Sequence, residues 1–164
     1  MPHWMALIAV VAVIGAFGGA TAQAQEPADP TNLKTFGFML GDVQYRILLP
    51  KHATLTRASG SDRFHVSLSM RMVRQMELLP APSESGKAYP RTQALSNGAV
   101  LKFGVRDPEG DTGSGGPEQV LEGHLQIGER TLAVRCHDQG EWPSLPGATW
   151  CIAYLHHLAV AAGR

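Results

Sequence analysis

The fold of this chain is decided by the stretch Phe64-His65-Val66-Ser67-Leu68-Ser69-Met70-Arg71. Apolar side chains occupy every second position, and His, Ser or Arg stands between them. Successive side chains of a β-strand point to opposite faces of a sheet, so this alternation is typical of a strand with one buried face and one face in water. The stretch therefore predicts an antiparallel sheet covered on one side.

The same alternation recurs in both directions along the chain. We expect further strands at residues 36–40, 43–49, 53–57, 73–79, 89–95, 99–105, 120–127 and 131–137. The turns that separate these segments include Gly41-Asp42, Gly60-Ser61-Asp62 and Gly128-Glu129. Ser96-Asn97-Gly98 is a strong hairpin signal, because Asn and Gly both accept a positive φ.

The last segment changes period. Residues 148–162 contain neither Gly nor Pro, and their large apolar residues recur at helical spacing: Trp150, Cys151, Tyr154, Leu155 and Leu158. This pattern predicts a C-terminal helix over that range. The fold class predicted is mainly β (α+β), an antiparallel sheet or sandwich of about eight strands with a C-terminal helix.

The first 24 residues predict where the protein works. An apolar run from Met5 to Phe17 is followed by small residues that end in Ala22-Gln23-Ala24. This is the pattern of a secretory signal peptide cut after Ala24. The alternative is an uncleaved anchor, since residues 4–22 are just long enough to span a bilayer. We expect residues 25–32 to form a flexible lead-in and residues 33–164 a single β-rich domain in the periplasm, with no stable membrane insertion after cleavage.

Two cysteines, Cys136 and Cys151, are the only ones in the chain. In an exported protein an isolated pair predicts one disulfide. It would close a ring of about 15 residues, which stabilises the fold by about 3 kcal/mol in the chain-entropy account. Two unpaired thiols are the alternative if the chain stays in the cytosol.

The charges argue against nucleic acid as a partner. The chain has 14 basic and 14 acidic residues and no basic run that could follow a phosphate backbone. Four arginines do gather around the middle strands: Arg57, Arg63, Arg71 and Arg74. They indicate a sheet face in water, or alternatively a surface for an anionic partner.

The most unusual segment is the loop at residues 107–118. Its twelve residues hold four carboxylates and four glycines. Glycine lets the backbone approach a partner closely, and carboxylates offer acceptors, so the loop is a candidate recognition site. The candidate partner-binding residues are Asp107, Glu109, Asp111, Ser114 and Glu118. A plain hairpin tip is the alternative, and calcium is a weaker one, because the closing Glu and the Gly of a calcium loop are misplaced.

Catalytic and metal motifs are missing from the sequence. His124, His137, His156 and His157 show no zinc spacing, and Ser114 lacks the helix that follows a nucleophile elbow. We therefore predict no catalytic residue, no metal and no cofactor. An envelope hydrolase that uses carboxylates and histidines, and a structural envelope protein without a soluble ligand, are the alternatives.

The C-terminal half carries several short motifs together. They are Asn97-Gly98-Ala99-Val100-Leu101-Lys102-Phe103, Gly113-Ser114-Gly115-Gly116, Leu121-x-Gly123-x-Leu125-x-Ile127-Gly128, Cys136-His137-Asp138-Gln139 and Trp150-Cys151. Across about residues 40–160 the chain resembles a family of small periplasmic immunity proteins that neutralise a type VI secretion effector with muramidase activity. The resemblance implies an exported, mainly β protein that is not an enzyme. It also implies that polar and acidic loops block the peptidoglycan-binding cleft of a secreted toxin, with residues 107–118 as the candidate loop here.

Overall fold

The computed structural model describes residues 32–58, 63–67, 73–81, 88–107, 118–139 and 147–161. Within these ranges the strands, in chain order, are β1 (Leu33–Leu40), β2 (Val43–Pro50), β3 (Thr54–Arg57), β4 (Phe64–Ser67), β5 (Val73–Pro80), β6 (Arg91–Ala94), β7 (Val100–Arg106), β8 (Glu118–Ile127), β9 (Arg130–Gln139) and β10 (Ala159–Val160). A 3-10 helix (Gly147–Cys151) and a short helix α1 (Ile152–Leu155) lie between β9 and β10. The predicted signal peptide and most of the lead-in lie outside the described residues.

The strands form two antiparallel sheets. The large sheet has seven strands in the order β3-β4-β5-β9-β8-β7-β6, and the small sheet has three in the order β1-β2-β10. Long hairpins dominate both, since β1 with β2 and β8 with β9 pair along their whole lengths. The predicted fold class is therefore confirmed.

The core lies between the two sheets. Alternate residues of β2, Ile47 and Leu49, are fully buried, as are Met76 and Leu78 of β5. The ring of Phe38 on β1 lies 4.9 Å from the ring of Phe64 on β4, which joins the small sheet to the large one. Each large apolar side chain buried in this way contributes about 1.5–3 kcal/mol, so the alternation read from the sequence supplies the main stabilising term.

The hairpin predicted at Ser96-Asn97-Gly98 forms, but for a partly different reason. Gly98 has φ +82°, whereas Asn97 does not adopt a positive φ. The Asn97 side chain reaches across the molecule instead: its Nδ2 donates to the carbonyl oxygens of Leu155 at 2.9 Å and Leu158 at 2.7 Å. Asn97 thus ties the turn before β7 to the end of α1 and to the turn that follows it.

The prediction of a continuous C-terminal helix over residues 148–162 is wrong. The α-helix ends at Leu155, and the chain then returns as β10, which pairs with β2 at Arg46 and Tyr45. Trp150, Leu155 and Leu158 are buried, so the sequence pattern correctly identifies which side chains of this segment face the core. The segment with this spacing is short, and a helix of few turns is only marginally stable. The hydrogen bonds that β10 makes with β2 are therefore favoured over a longer helix.

The predicted disulfide is confirmed. Cys136 on β9 is bonded to Cys151, the last residue of the 3-10 helix, and both residues are completely buried. The bond ties the C-terminal segment to the middle of the large sheet. Among the described residues, the helices are too short and not apolar enough to cross a bilayer.

Candidate partner-binding site

Five strand ends that border three connections lie at one end of the large sheet, which we call the loop end. Its rim is formed by Ser67, Val73, Arg106, Glu118 and Gln139. The strand register places them together, because Gln139 lies opposite both Val73 and Glu118. The connections at residues 68–72 and 108–117 begin and end at strands of this rim, and the connection at residues 140–146 begins there and leads to the 3-10 helix. All three lie outside the described residues.

Two of the five predicted site residues can be located, and both lie at the base of the candidate loop. Asp107 follows β7, and its Oδ1 accepts a hydrogen bond from Nε2 of Gln119 at 3.2 Å. Glu118 begins β8, and its Oε1 lies 2.9 Å from Nδ1 of His137 on β9. Each of the two carboxylates therefore contacts another side chain of the same molecule. Glu109, Asp111 and Ser114 lie outside the described residues.

Gln119 links the loop base to the C-terminal segment. While its Nε2 donates to Asp107, its Oε1 accepts from the backbone N–H of Ala148 at 2.9 Å. This N–H belongs to the first turn of the 3-10 helix, where backbone donors lack helical partners. The neighbouring Gly147 has φ +66°, and a Cβ there would overlap the Gln119 amide. A glycine at position 147 is thus required both by the backbone and by this contact.

The 3-10 helix is fastened beneath the rim at further points. Nε1 of Trp150 donates to the carbonyl oxygen of His137 at 2.9 Å, next to the disulfide at Cys136. Because Glu118 also contacts the His137 ring, the start of β8, the end of β9 and the C-terminal segment are held as one unit. Contacts among the described residues therefore hold the strand ends at Glu118 and Gln139 in place.

A buried ion pair lies on the inner face close to the rim. Asp138 is only 5% exposed, and its Oδ1 lies 3.4 Å from Nε of Arg74, its cross-strand partner on β5. Burial raises the pKa of the nearby Tyr154 hydroxyl, and the positive charge of Arg74 acts in the opposite direction. The sequence offers only a weak signal for this pair: Asp138, one position beyond the strand predicted at residues 131–137, continues the alternation of Leu132, Val134 and Cys136.

The arginine group noted in the sequence does not form one surface. Arg63 lies 3.8 Å from Glu77, and Arg57 lies over the ring of Phe64. Arg74 lies on the face opposite Glu77 and contacts the buried Asp138. Arg71 lies outside the described residues. Arginines on opposite faces cannot act together as one anionic-partner surface, so that alternative is not supported.

His124, His137 and His156 lie apart from one another. His124 contacts the ring of Tyr89 edge to face, His137 faces Glu118, and His156 contacts Ser96. Within the described ranges, no three His, Cys, Asp or Glu side chains converge as metal ligands would.

Comparison with known families identifies the chain. The model of the type six secretion immunity 3 domain matches residues 46–159. This span covers most of the chain, including the large sheet, the disulfide and the C-terminal segment, and it agrees with the resemblance read from the sequence. No curated protein matches. The chain therefore belongs to the type six secretion immunity 3 family and is a type VI secretion immunity protein.

Proposed function

We propose that this immunity protein is exported to the periplasm, binds a secreted toxin of the muramidase class and blocks its substrate cleft with the loop end. The observation that carries the proposal is the rim itself. Three connections emerge from one end of a sheet whose strand ends are fixed by a disulfide and by the Gln119 contacts. Binding loops on a rigid sheet are a common arrangement for recognition.

Rigidity of the rim favours tight binding. A protein that must order its contact surface on association loses part of the interaction free energy to that ordering. Here the disulfide, the Trp150 bond and the His137 contact hold the strand ends in place before any partner arrives. A standard interface buries about 800 Å² on each partner. Three neighbouring connections supply a surface of that order more readily than one loop does.

The chemistry of the loop fits a muramidase cleft. Such a cleft binds sugar hydroxyl and carboxylate groups, so it presents hydrogen-bond donors. We take Asp107 and Glu118 to shape the loop base, because Asp107 contacts Gln119 and Glu118 contacts His137. Direct contact with the toxin then falls to Glu109, Asp111 and Ser114 at the middle of the loop.

The disulfide supports export, because such bonds persist in oxidising compartments such as the periplasm. Cleavage after Ala24 is part of the same proposal and follows from the apolar N-terminal run. We take the protein to act by binding and not by catalysis, as expected of an immunity protein. Purified protein that hydrolyses peptidoglycan without a toxin would contradict this part of the proposal.

The test is the affinity of the oxidised protein for the cognate toxin, measured by calorimetry. We expect Glu109→Ala with Asp111→Ala to weaken binding by at least about tenfold, as loss of charge-assisted contacts does. The melting temperature should stay unchanged. The matched control is Glu129→Ala, which removes a carboxylate from the turn at the opposite end of β8 and β9. Unchanged affinity in the double variant would remove the loop from the interface.

The toxin class is tested separately. One equivalent of protein should stop hydrolysis of purified peptidoglycan by the toxin, and the released fragments should show cleavage of the glycan strand. A toxin that instead cuts the peptide stems or attacks lipid would overturn the muramidase assignment.

A further inference from the structure

A cavity of about 350 Å³ lies beside the free edge of β2, and we call it the C-terminal notch. Strand β10 pairs with β2 at Arg46 and Tyr45, and this ladder does not continue to Ile47 and Leu48. Beyond that point the other wall is the turn at residues 156–158, which connects α1 to β10. The notch is therefore the space left where the last segment of the chain diverges from the small sheet.

The lining of the C-terminal notch is donor-rich on one side and apolar on the other. Arg46, His156, His157 and the hydroxyl-bearing Thr35 supply the polar part. The apolar part comes from Leu48 and Ala159, which are partly exposed, and no carboxylate is among the lining residues. A cavity with cationic and N–H donor groups and without acids is complementary to an anion.

Arg46 differs from the other arginines on the sheets. Arg63, Arg74, Arg106, Arg130 and Arg135 each lie within 4.0 Å of a carboxylate oxygen. Arg57 and Arg91 lie over the rings of Phe64 and Phe103. Across the part of the chain that the structure describes, no contact of either kind is found for Arg46. Its guanidinium faces a cavity with its planar set of donors available for a ligand.

Hydrogen bonds from the turn before β7 hold the opposite wall of the notch, the turn at residues 156–158, in place. Nδ1 of His156 accepts a hydrogen bond from the backbone N–H of Ser96 at 2.9 Å, so in the neutral ring Nε2 carries the proton and is a donor. Asn97 fixes the same turn through its bonds to the carbonyl oxygens of Leu155 and Leu158. The notch does not have to be formed by a ligand.

We propose that the C-terminal notch binds a carboxylate carried on a short aliphatic stem. The carboxylate faces the Arg46 guanidinium and the imidazole of His157, and the stem packs on Leu48 and Ala159. This chemistry is shared by acidic protein side chains and by the lactyl group of muramic acid. The notch lies at the turn before β7, about 20 Å of strand away from the loop end. It is thus a second site, independent of toxin binding at the rim.

The test is an NMR titration of the intact, oxidised protein with sodium propionate, with the neutral amide propionamide as the control ligand. We expect propionate to give saturable shifts of the His156 and His157 ring signals. Arg46→Gln should weaken that binding by about tenfold or more, the usual effect of losing a charge-assisted bond. Arg91→Gln is the matched control, because it removes an exposed strand arginine outside the notch, and it should bind propionate as the unaltered protein does.

Equal shifts with propionamide, or unchanged propionate binding by a folded Arg46→Gln protein, would overturn the proposal. If Arg46→Gln does not fold, His157→Gln decides in its place, since that side chain is exposed; unchanged binding there also overturns it. Titration with N-acetylglutamate and with N-acetylmuramic acid then distinguishes the two sources, because the true source should bind more tightly. Failure of both to bind would refute the site. No toxin is needed, so the result does not depend on the function proposed above.

Discussion

Replacing Asn97 by Ala should destabilise the protein far more than a change in an exposed turn normally does. The substitution removes two donated bonds, to the carbonyl oxygens of Leu155 and Leu158, and one accepted bond from the N–H of Ala99 at 3.1 Å. Each such bond contributes about 0.5–1.5 kcal/mol net. The expected loss is therefore about 2–4 kcal/mol in the free energy of unfolding, measured by urea denaturation.

Two further variants separate the side-chain bonds from the turn conformation. If Asn97 were needed for its backbone angles, Asn97→Gly would be harmless, because Gly is the most permissive turn residue. Since its bonds are what matter, Asn97→Gly should lose about as much as Asn97→Ala. Asn97→Asp should do no better than alanine, because its carboxylate would face two carbonyl oxygens. Ser96→Ala is the control, with an expected loss below about 1 kcal/mol for an exposed hydroxyl. Neutral surface substitutions change the free energy of unfolding by up to about 0.5 kcal/mol. A change no larger than this in Asn97→Ala would refute the reasoning.

Reduction of the bond between Cys136 and Cys151 should lower the free energy of unfolding by about 3 kcal/mol, because the closed ring restricts the unfolded chain; equal urea midpoints with and without reductant would contradict it. Stability should also fall as the pH rises above about 10, the usual pKa of a tyrosine hydroxyl. Burial raises the pKa of Tyr45 and Tyr154 in the folded protein, so the unfolded chain loses these protons first and the loss of stability continues up to the folded-state pKa. The double variant Tyr45→Phe with Tyr154→Phe should flatten the alkaline limb, and an unchanged limb would assign the loss to other groups.

The regular part of the fold could be predicted because strand alternation is a local signal. Phe64 and Val66 are buried while His65 and Ser67 between them are partly exposed, as their order in the sequence indicates. The disulfide could be predicted because a chain with two cysteines allows only one intramolecular pair. Both inferences need information from a single short segment or from composition alone.

The C-terminal segment could not be predicted in the same way. Its apolar spacing is helical, yet Ala159 and Val160 form a strand because β2 lies beside them in the folded molecule. That neighbour is more than a hundred residues earlier in the chain, so no local pattern reports it. Long-range pairing overrides local propensity here.

The contacts at the loop base could not be predicted from the sequence. The position of Asp107 and Glu118 in an acidic, glycine-bearing loop predicts them as partner contacts. In the folded chain Asp107 also contacts Gln119, and Glu118 also contacts His137. Gln119 in turn depends on Ala148, almost thirty residues later, and only the folded chain brings these groups together.

The ring closed by the disulfide also determines what happens when a peptidase cuts the chain within it. A peptidase that cuts any peptide bond between Cys136 and Cys151 opens the ring but releases no fragment, since the two cysteines still join both pieces. The cut C-terminal segment stays close to β2 at a high effective concentration. Strand β10 can therefore pair with β2 again, and α1 can pack again, whenever they separate from the sheet. We therefore expect a single cut between the two cysteines to break the backbone without dismantling the fold.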